Sequence, residues 1–244
     1  MIVLRSLVFN VLFYLNLTGF MILSLWSLLF DRRVGMALLK TWARSSLWLL
    51  KVICGIHMEV RGIDNIPHGA ALIAGKHQSF WESFALLPLL DDPCMVLKRE
   101  LLLIPLFGWY GFKFRMIAVA RGAGAQALRD MVKRAKQEVA SGRQIVIMPE
   151  GTRKAPGDAP DYKPGAAALY TMLKVPCVPF GLNAGLFWPR RKFLRYPGTI
   201  TIAFLPAIPS GLSRDAFQTR LVHDIEQSSD SLAREAGFER VKQN

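Results

Sequence analysis

The sequence predicts an α/β domain with a largely parallel central sheet of about seven strands flanked by helices, preceded by an N-terminal two-helix membrane anchor. Two observations support this fold class. Apolar side chains dominate the first 56 residues, whereas from residue 57 onward short β-rich runs alternate with helical stretches. A length of 244 residues suits one such domain with a sizeable core. We therefore divide the chain into an anchor, residues 1–56, and a second domain, residues 57–244.

Residues 6–30 carry no charged side chain and lie between Arg5 and Asp31. A spanning helix needs about 20 apolar residues, so this run is long enough to cross a bilayer. Polar and small residues lie near its middle, so a shallow monotopic insertion or a broken helical hairpin is an equally open alternative to a spanning helix. These residues are Asn10, Asn16, Thr18 and Gly19. A cleaved signal peptide is disfavoured, because its apolar core would be about 7–15 residues long and a small-residue cleavage site would follow.

Residues 34–56 predict a second helix with one narrow basic stripe. Its only charged residues are Lys40, Arg44 and Lys51, which fall within roughly 40° of one another at about 100° per residue. Trp42 and Trp48 suit the head-group boundary of a bilayer. We expect this helix to lie on anionic lipid; the alternative is a core helix with one solvated face.

The second domain begins the alternation of strands and helices. Candidate strands are residues 57–61, 70–75, 94–97, 116–120, 144–148, 177–182 and 199–205. Between the fourth and fifth strands, apolar residues recur at helical spacing and predict an amphipathic crossover helix; they are Leu128, Met131, Val132, Ala135 and Val139. Ser213 is positioned to cap a final helix that ends near Ala236. Strands joined by helical crossovers predict a parallel sheet with function at the strand ends.

The charge balance indicates an anionic partner. The net charge of +13 fits phospholipid head groups, phosphorylated substrates, coenzyme A or nucleic acid. Nucleic acid is the weakest of these, because no recognised nucleic-acid module is visible. Cys54, Cys94 and Cys177 form no CxxC pair. We therefore expect no metal site and no disulfide framework, and a second domain that faces a reducing cytoplasm.

A histidine and a glutamate flank the turn after the second candidate strand. His77 lies on the strand-to-helix turn, and Glu82 lies in the first turn of the helix. At this spacing the carboxylate can accept a hydrogen bond from Nδ1 of the imidazole. Nε2 then stays free as a general base, with the carboxylate as its orienting partner.

Cations follow three other strands. The fifth strand ends in Glu150, Gly151, Thr152 and Arg153, which offer backbone N–H groups, a hydroxyl and a guanidinium able to grip a phosphate. The third and fourth strands end in Lys98 and Arg121. We expect Lys98, Arg121 and Arg153 to form a cationic mouth beside His77.

These elements, in this order, resemble the glycerolipid acyltransferase family, particularly its bacterial 1-acyl-sn-glycerol-3-phosphate acyltransferases. The resemblance covers roughly residues 57–205. It rests on His77 and an acidic residue separated by four residues, on a second element ending in Arg121, on Glu-Gly-Thr-Arg at residues 150–153, and on Val-Pro within residues 175–179. Glu82 stands where the family has Asp, so the histidine must accommodate one additional methylene, about 1.5 Å.

The resemblance implies direct acyl transfer without a covalent intermediate. His77 would deprotonate the acceptor hydroxyl, with Glu82 orienting it, and the turn at Gly151 would help to hold the oxyanion. The donor would be acyl-CoA or acyl carrier protein, the acceptor lysophosphatidic acid and the product phosphatidic acid, with no cofactor. The expected location is the plasma (inner) membrane, with catalysis on the cytoplasmic side. Alternatives are another lysolipid or glycerol 3-phosphate as acceptor, or a non-catalytic protein that binds anionic lipid.

Overall fold

The computed structural model describes residues 1–120 and 124–238. Its strands are β1 (Ile56–Arg61), β2 (Ala71–Gly75), β3 (Pro93–Lys98), β4 (Ile117–Val119), β5 (Gln144–Ile147), β6 (Cys177–Leu182) and β7 (Gly198–Phe204). They form one sheet in the order β1-β7-β6-β2-β5-β3-β4. Neighbouring strands are parallel except for the antiparallel pair β6 and β7. The predicted largely parallel sheet is confirmed, with strand ends displaced by at most one residue.

Helices cover both faces of the sheet. They are α1 (Ile2–Leu23), α2 (Arg32–Cys54), α3 (Glu82–Ala85), α4 (Phe107–Lys113), α5 (Gly124–Ala140), α6 (Gly165–Leu173), α7 (Ala184–Phe187) and α8 (Arg214–Glu235). Successive residues of β2 point to opposite faces: Ile73 packs in the cluster that includes α1, α2 and α3, and Leu72 in the cluster that includes α5, α6 and α8. Two hydrophobic layers therefore enclose the sheet, as expected for buried parallel strands.

The helices predicted from spacing and capping are present. Met131, Val132 and Ala135 are the buried face of α5. Ser213 caps α8 by accepting a hydrogen bond from the N–H of Ala216 at 3.2 Å. The final helix ends at Glu235, one residue before the predicted end.

The apolar helix α1 packs along one face on residues of the sheet and its neighbouring helices. Among the described residues it is the one helix long and apolar enough to cross a membrane by length and composition. Phe9 and Phe13 are buried and contact Trp188 with ring centroids 5.4 and 5.8 Å away. The opposite face of α1 is exposed apolar surface that includes Leu4, Val11 and Leu15.

The polar side chains of α1 find partners in the protein. The Oγ of Ser6 accepts a hydrogen bond from the backbone N–H of Arg195 at 2.9 Å. The guanidinium of Arg195 donates to Asn10 at 3.0 Å. Asn16 donates to the hydroxyls of Ser45 and Ser46 on α2 at 2.9 and 3.0 Å. The residues that interrupt the apolar run thus dock the helix onto the protein.

The second helix differs from its sequence interpretation in two places. Trp42 is buried and contacts Phe13 and Phe84, so it does not lie at a head-group boundary. Lys40 donates to the backbone oxygens of Leu90 and Asp91 at 2.6 and 2.8 Å, so its ammonium group binds the protein. Helical periodicity identified the stripe that Lys40 shares with Arg44 and Lys51 but not the carbonyl groups that cover Lys40. The rest of the stripe, Arg44 and Lys51, is exposed, as is Trp48.

The sheet order brings the motif-bearing turns to one edge. β2 and β5 are parallel neighbours with Ala74 opposite Ile147, so three residues later His77 lies level with Glu150. β3 is the next strand, with Met95 opposite Val146, which places Lys98 level with residue 149. All of these positions follow the carboxyl ends of the strands, where parallel α/β sheets commonly carry their sites.

Candidate active site

His77 and Glu82 meet as the sequence predicts. Nδ1 of His77 is 2.7 Å from Oε1 of Glu82, whose side chain is fully buried. The same oxygen accepts hydrogen bonds from the backbone N–H groups of Gln78 and Ser79, at 2.8 and 2.7 Å. Because two N–H groups already point at Oε1, that oxygen carries no proton and Nδ1 is the donor. In the neutral imidazole, Nε2 of His77 is then the unprotonated nitrogen, and the His77 side chain is 15% exposed.

The turn that carries His77 is fixed by the turn after β5. The carbonyl of His77 accepts a hydrogen bond from the N–H of Lys154 at 2.8 Å. Burial raises the pKa of the Glu150 carboxyl group. The backbone N–H of His77 donates a hydrogen bond to that carboxylate, which lowers its pKa by a smaller amount. The longer Glu82 side chain is accommodated, since Nδ1 of His77 and Oε1 of Glu82 still meet at 2.7 Å.

Glu150 has a structural position and not the substrate contact that the sequence led us to expect. Its side chain is 1% exposed, and its Oε1 lies 3.1 Å from the ammonium of Lys76. Lys76 also contacts Glu226 of α8 at 2.6 Å, and the hydroxyl of Tyr162 donates to the same Glu226 oxygen at 2.8 Å. A lysine as deeply buried as Lys76 requires such acidic partners. This buried cluster ties the ends of β2 and β5 to α8.

Gly151 makes a tight turn but does not supply a free donor. Its φ of +63° lies in the left-handed region that favours glycine. Its N–H donates to the carbonyl of Met148 at 2.9 Å, so this N–H is not free to bind an oxyanion. The expected role of the turn around Gly151 stays a prediction. Thr152 and Arg153 follow with half-buried side chains.

Arg153 lies within a group of cations. Its guanidinium is 5.4 Å from the ring centroid of Phe80, in the His77 turn. Burial lowers the pKa of Arg153 from its ordinary value; Glu82 raises it, and Arg190 and Arg191 lower it further. Arg190 also donates to the backbone oxygen of Arg153 at 2.6 Å. Arg190 and Arg191 thus both oppose the charge of Arg153, and an anion bound there would offset that repulsion.

The other two predicted cations have different outcomes. The ammonium of Lys98 is 3.3 Å from Glu100, and the side chain is 43% exposed at the end of β3. It therefore reaches the correct edge of the sheet, with β5 lying between β3 and the strand that leads to His77. Arg121 lies outside the described residues. Its place in the cationic mouth remains a prediction.

The family of the chain follows from comparison with known proteins. A family model described as Acyltransferase matches residues 57–183, just over half of the chain. The chain belongs to this family. The matched segment begins in β1 and ends just after β6, so it contains the turns that carry His77 and Arg153.

Two curated relatives of this acyltransferase are similar over the same region. A 1-acyl-sn-glycerol-3-phosphate acyltransferase of Pseudomonas aeruginosa is 38% identical over 169 residues, 69% of this chain and 66% of the relative. The human 1-acyl-sn-glycerol-3-phosphate acyltransferase beta is 30% identical over 167 residues, 67% of this chain and 60% of the relative. The matches thus span less than two thirds of the length of each relative.

A solved structure shares the fold of this acyltransferase. The crystal structure of the 1-acyl-sn-glycerophosphate (LPA) acyltransferase PlsC from Thermotoga maritima superposes with a TM-score of 0.79 at 19% sequence identity. The alignment covers 95% of this chain and 98% of that one. The shared architecture therefore includes the N-terminal helices as well as the sheet.

Sequence reasoning missed several residues of the site in this acyltransferase. Lys76 adjoins the histidine but carries no motif, and its partner Glu226 is 150 residues away. Arg190 and Arg191 lie beyond β6 in a loop without a recognisable pattern. Gln78 is buried, and its side-chain oxygen accepts the N–H of Gly185 at 3.0 Å, which holds the start of α7 against the His77 turn. Only the density of cations near residue 190 was a signal available in the sequence.

Proposed function

We propose that the chain transfers an acyl group from a thioester, acyl-CoA or acyl carrier protein, to the sn-2 hydroxyl of 1-acyl-glycerol-3-phosphate, and so makes phosphatidic acid. The observation that carries this proposal is the His77–Glu82 pair, with Nε2 available on a partly exposed turn beside a group of arginines. The names of the curated relatives support lysophosphatidic acid as the acceptor.

The chemistry assigned to His77 is general-base catalysis. Nε2 takes the proton of the acceptor hydroxyl while its oxygen attacks the thioester carbonyl. The carbon–sulfur bond of the tetrahedral intermediate then breaks, and the imidazolium returns its proton to the departing thiolate. The products are an ester and a free thiol, and His77 ends neutral. A positioned base of this kind contributes about 100- to 10,000-fold in rate. The carboxylate of Glu82 stabilises the imidazolium while it exists.

The phosphate of the acceptor is assigned to Arg153 together with Arg190 and Arg191. An anion carrying up to two charges offsets the mutual repulsion of three guanidinium groups, and planar guanidinium groups suit two-pronged contacts to phosphate oxygens. Lys98, Thr152 and Arg121 remain proposed further contacts, with Lys98 and Arg121 widening the positive field at the strand ends.

Attachment to an anionic membrane is assigned to residues 1–56, with residues 57–244 as the acyltransferase domain. The contacts of Ser6, Asn10 and Asn16 favour monotopic insertion, because a helix bonded to the domain along one face leaves only the other face for lipid. Arg44 and Lys51 would meet anionic head groups. Buried, unpaired cysteines agree with a domain on the cytoplasmic side of the plasma membrane.

The deciding experiment is acyl transfer by the purified full chain. In mixed micelles with lysophosphatidic acid and acyl-CoA, phosphatidic acid and free thiol should appear in equal amounts. His77→Ala should lower turnover by about 100-fold or more without changing thermal unfolding. Equal turnover by the variant would remove His77 from the mechanism. Faster acylation of another lysolipid or of glycerol 3-phosphate would change the acceptor, and binding of anionic lipid without thiol release would favour a non-catalytic protein.

A further inference from the structure

A second apolar surface lies outside the N-terminal helices. It consists of five exposed side chains in the hairpin formed by the 3₁₀ segment Arg99–Leu103 and α4: Leu101, Leu103, Ile104, Trp109 and Phe112. We call it the α4 patch. Leu103 is 80% exposed, Phe112 66% and Trp109 57%. Clustered exposure of large apolar side chains marks an interaction surface, whereas isolated exposed apolar residues do not.

The backbone holds the α4 patch outward. Leu106 has a φ of +63°, a conformation that side-chain-bearing residues rarely adopt, and it turns the chain between the two arms of the hairpin. The arms are closely packed, because a Cβ on Gly108 would lie 2.1 Å from the carbonyl oxygen of Leu102. A Cβ on Gly111 would lie 2.4 Å from the Leu102 side chain. Leu102 fills the space between the arms, so the neighbouring apolar side chains of the α4 patch stay on the outside.

The α4 patch joins the apolar surface at the end of α1. The hydroxyl of Tyr110 donates to the carbonyl of Met21 and is 2.7 Å from the hydroxyl of Ser24. The ammonium of Lys113 donates to the carbonyl of Leu28 at 2.8 Å. The adjoining 3₁₀ segment Leu25–Leu29 and the residue after it expose further large apolar side chains, namely Trp26, Leu29 and Phe30.

Cations border the joined surface. Arg33 and Arg99 are exposed next to it in sequence, whereas the exposed Arg115 pairs with Glu138 at 2.8 Å. Asp31 and Glu100 are the nearby acidic residues in sequence, and Lys98 partly neutralises Glu100 at 3.3 Å. An apolar surface with an exposed tryptophan and a basic border is complementary to the head-group region of an anionic bilayer.

We infer that the α4 patch is a second membrane contact, which docks on the surface of an anionic lipid bilayer. The hairpin begins at the carboxyl end of β3, the edge that carries the His77 turn, and α4 leads back to the amino end of β4, the end strand of the sheet. Docking would therefore set the β4 side of the sheet against the lipid from which a lysolipid acceptor comes. The inference rests on the proposed attachment through α1 but does not depend on acyl transfer. Under this inference the membrane contact includes residues that follow residue 56.

Site-specific fluorophores on the full chain test the inference. The native cysteines are buried, and burial raises the pKa of all three thiols, so engineered surface cysteines should label selectively. Leu103→Cys and Phe112→Cys report on the α4 patch, and Val11→Cys reports on the exposed face of α1. Thr219→Cys is the control, because Thr219 is exposed on α8, which covers the face of the sheet opposite α1 and α2. Each variant is reconstituted with vesicles of phosphatidylglycerol and phosphatidylcholine.

The expected result is lipid-dependent quenching at residues 11, 103 and 112. Nitroxide-labelled lipid should quench these fluorophores and iodide should not, whereas the label at residue 219 should show the reverse. Lipid quenching at residue 11 with iodide quenching at 103 and 112 would overturn the second contact and leave the α1 attachment standing. Iodide quenching at all three would overturn both. Shielding of residues 103 and 112 from both quenchers would overturn a lipid partner in favour of protein.

Discussion

Replacement of Glu82 by Gln tests the orienting carboxylate with the smallest change of shape. An amide oxygen in place of Oε1 can keep the contacts to His77, Gln78 and Ser79 but loses the charge that stabilises the imidazolium. Hydrogen bonds to charged groups contribute about 1.5–3 kcal/mol, and those between neutral groups about 0.5–1.5 kcal/mol. The difference of about 1–2 kcal/mol corresponds to a loss in kcat/KM of roughly 5- to 30-fold.

The assay is the initial rate of thiol release with lysophosphatidic acid and acyl-CoA, alongside thermal unfolding of each variant. Glu82→Asp keeps the charge but shortens the reach by about 1.5 Å, so it should retain more activity than Glu82→Gln. Asp161→Asn removes an exposed carboxylate that pairs with Lys163, and it should leave the rate unchanged. If Glu82→Gln and Asp161→Asn were equally active, the orienting role of Glu82 would be refuted.

Three further predictions concern the phosphate, the buried cluster and the membrane. Arg153→Ala should lower kcat/KM on lysophosphatidic acid roughly 10- to 150-fold but lose little on a monoacylglycerol; equal losses would make Arg153 structural. Lys76→Met should lower the free energy of unfolding by about 3–5 kcal/mol in denaturant, and the exposed-pair control Lys163→Met by at most about 1 kcal/mol; similar losses would contradict the buried pairing. Combined Arg44→Glu and Lys51→Glu should weaken binding to anionic vesicles at least about 30-fold and hardly affect neutral ones; equal loss on both would exclude head-group contact.

Features encoded over short stretches of sequence could be predicted. The central strands β2, β5 and β6 are short, largely apolar runs, and every strand ends within one residue of its predicted position. His77 and Glu82 are five residues apart, so the local turn alone brings them together. The cap at Ser213 likewise depends only on its next three residues.

Features that depend on distant partners could not be predicted. Lys40 was assigned to lipid because helical spacing does not reveal the carbonyls of Leu90 and Asp91 that cover it. Glu150 belongs to a recognisable motif, but its side chain turns inward to Lys76 and Glu226. These assignments needed the sheet order, which sequence periodicity does not specify.

The docking of α1 has a consequence for the order in which the protein folds. Ser6 and Asn10 leave the ribosome early, whereas their partner Arg195 follows 189 and 185 residues later, respectively. During that interval the aromatic residues of α1 have no Trp188 to cover them. Long-range contacts of this kind form late because the loop between them must first close. A bilayer that shelters α1 during synthesis would shield it from aggregation until the last strands arrive, so membrane binding would precede completion of the active-site edge.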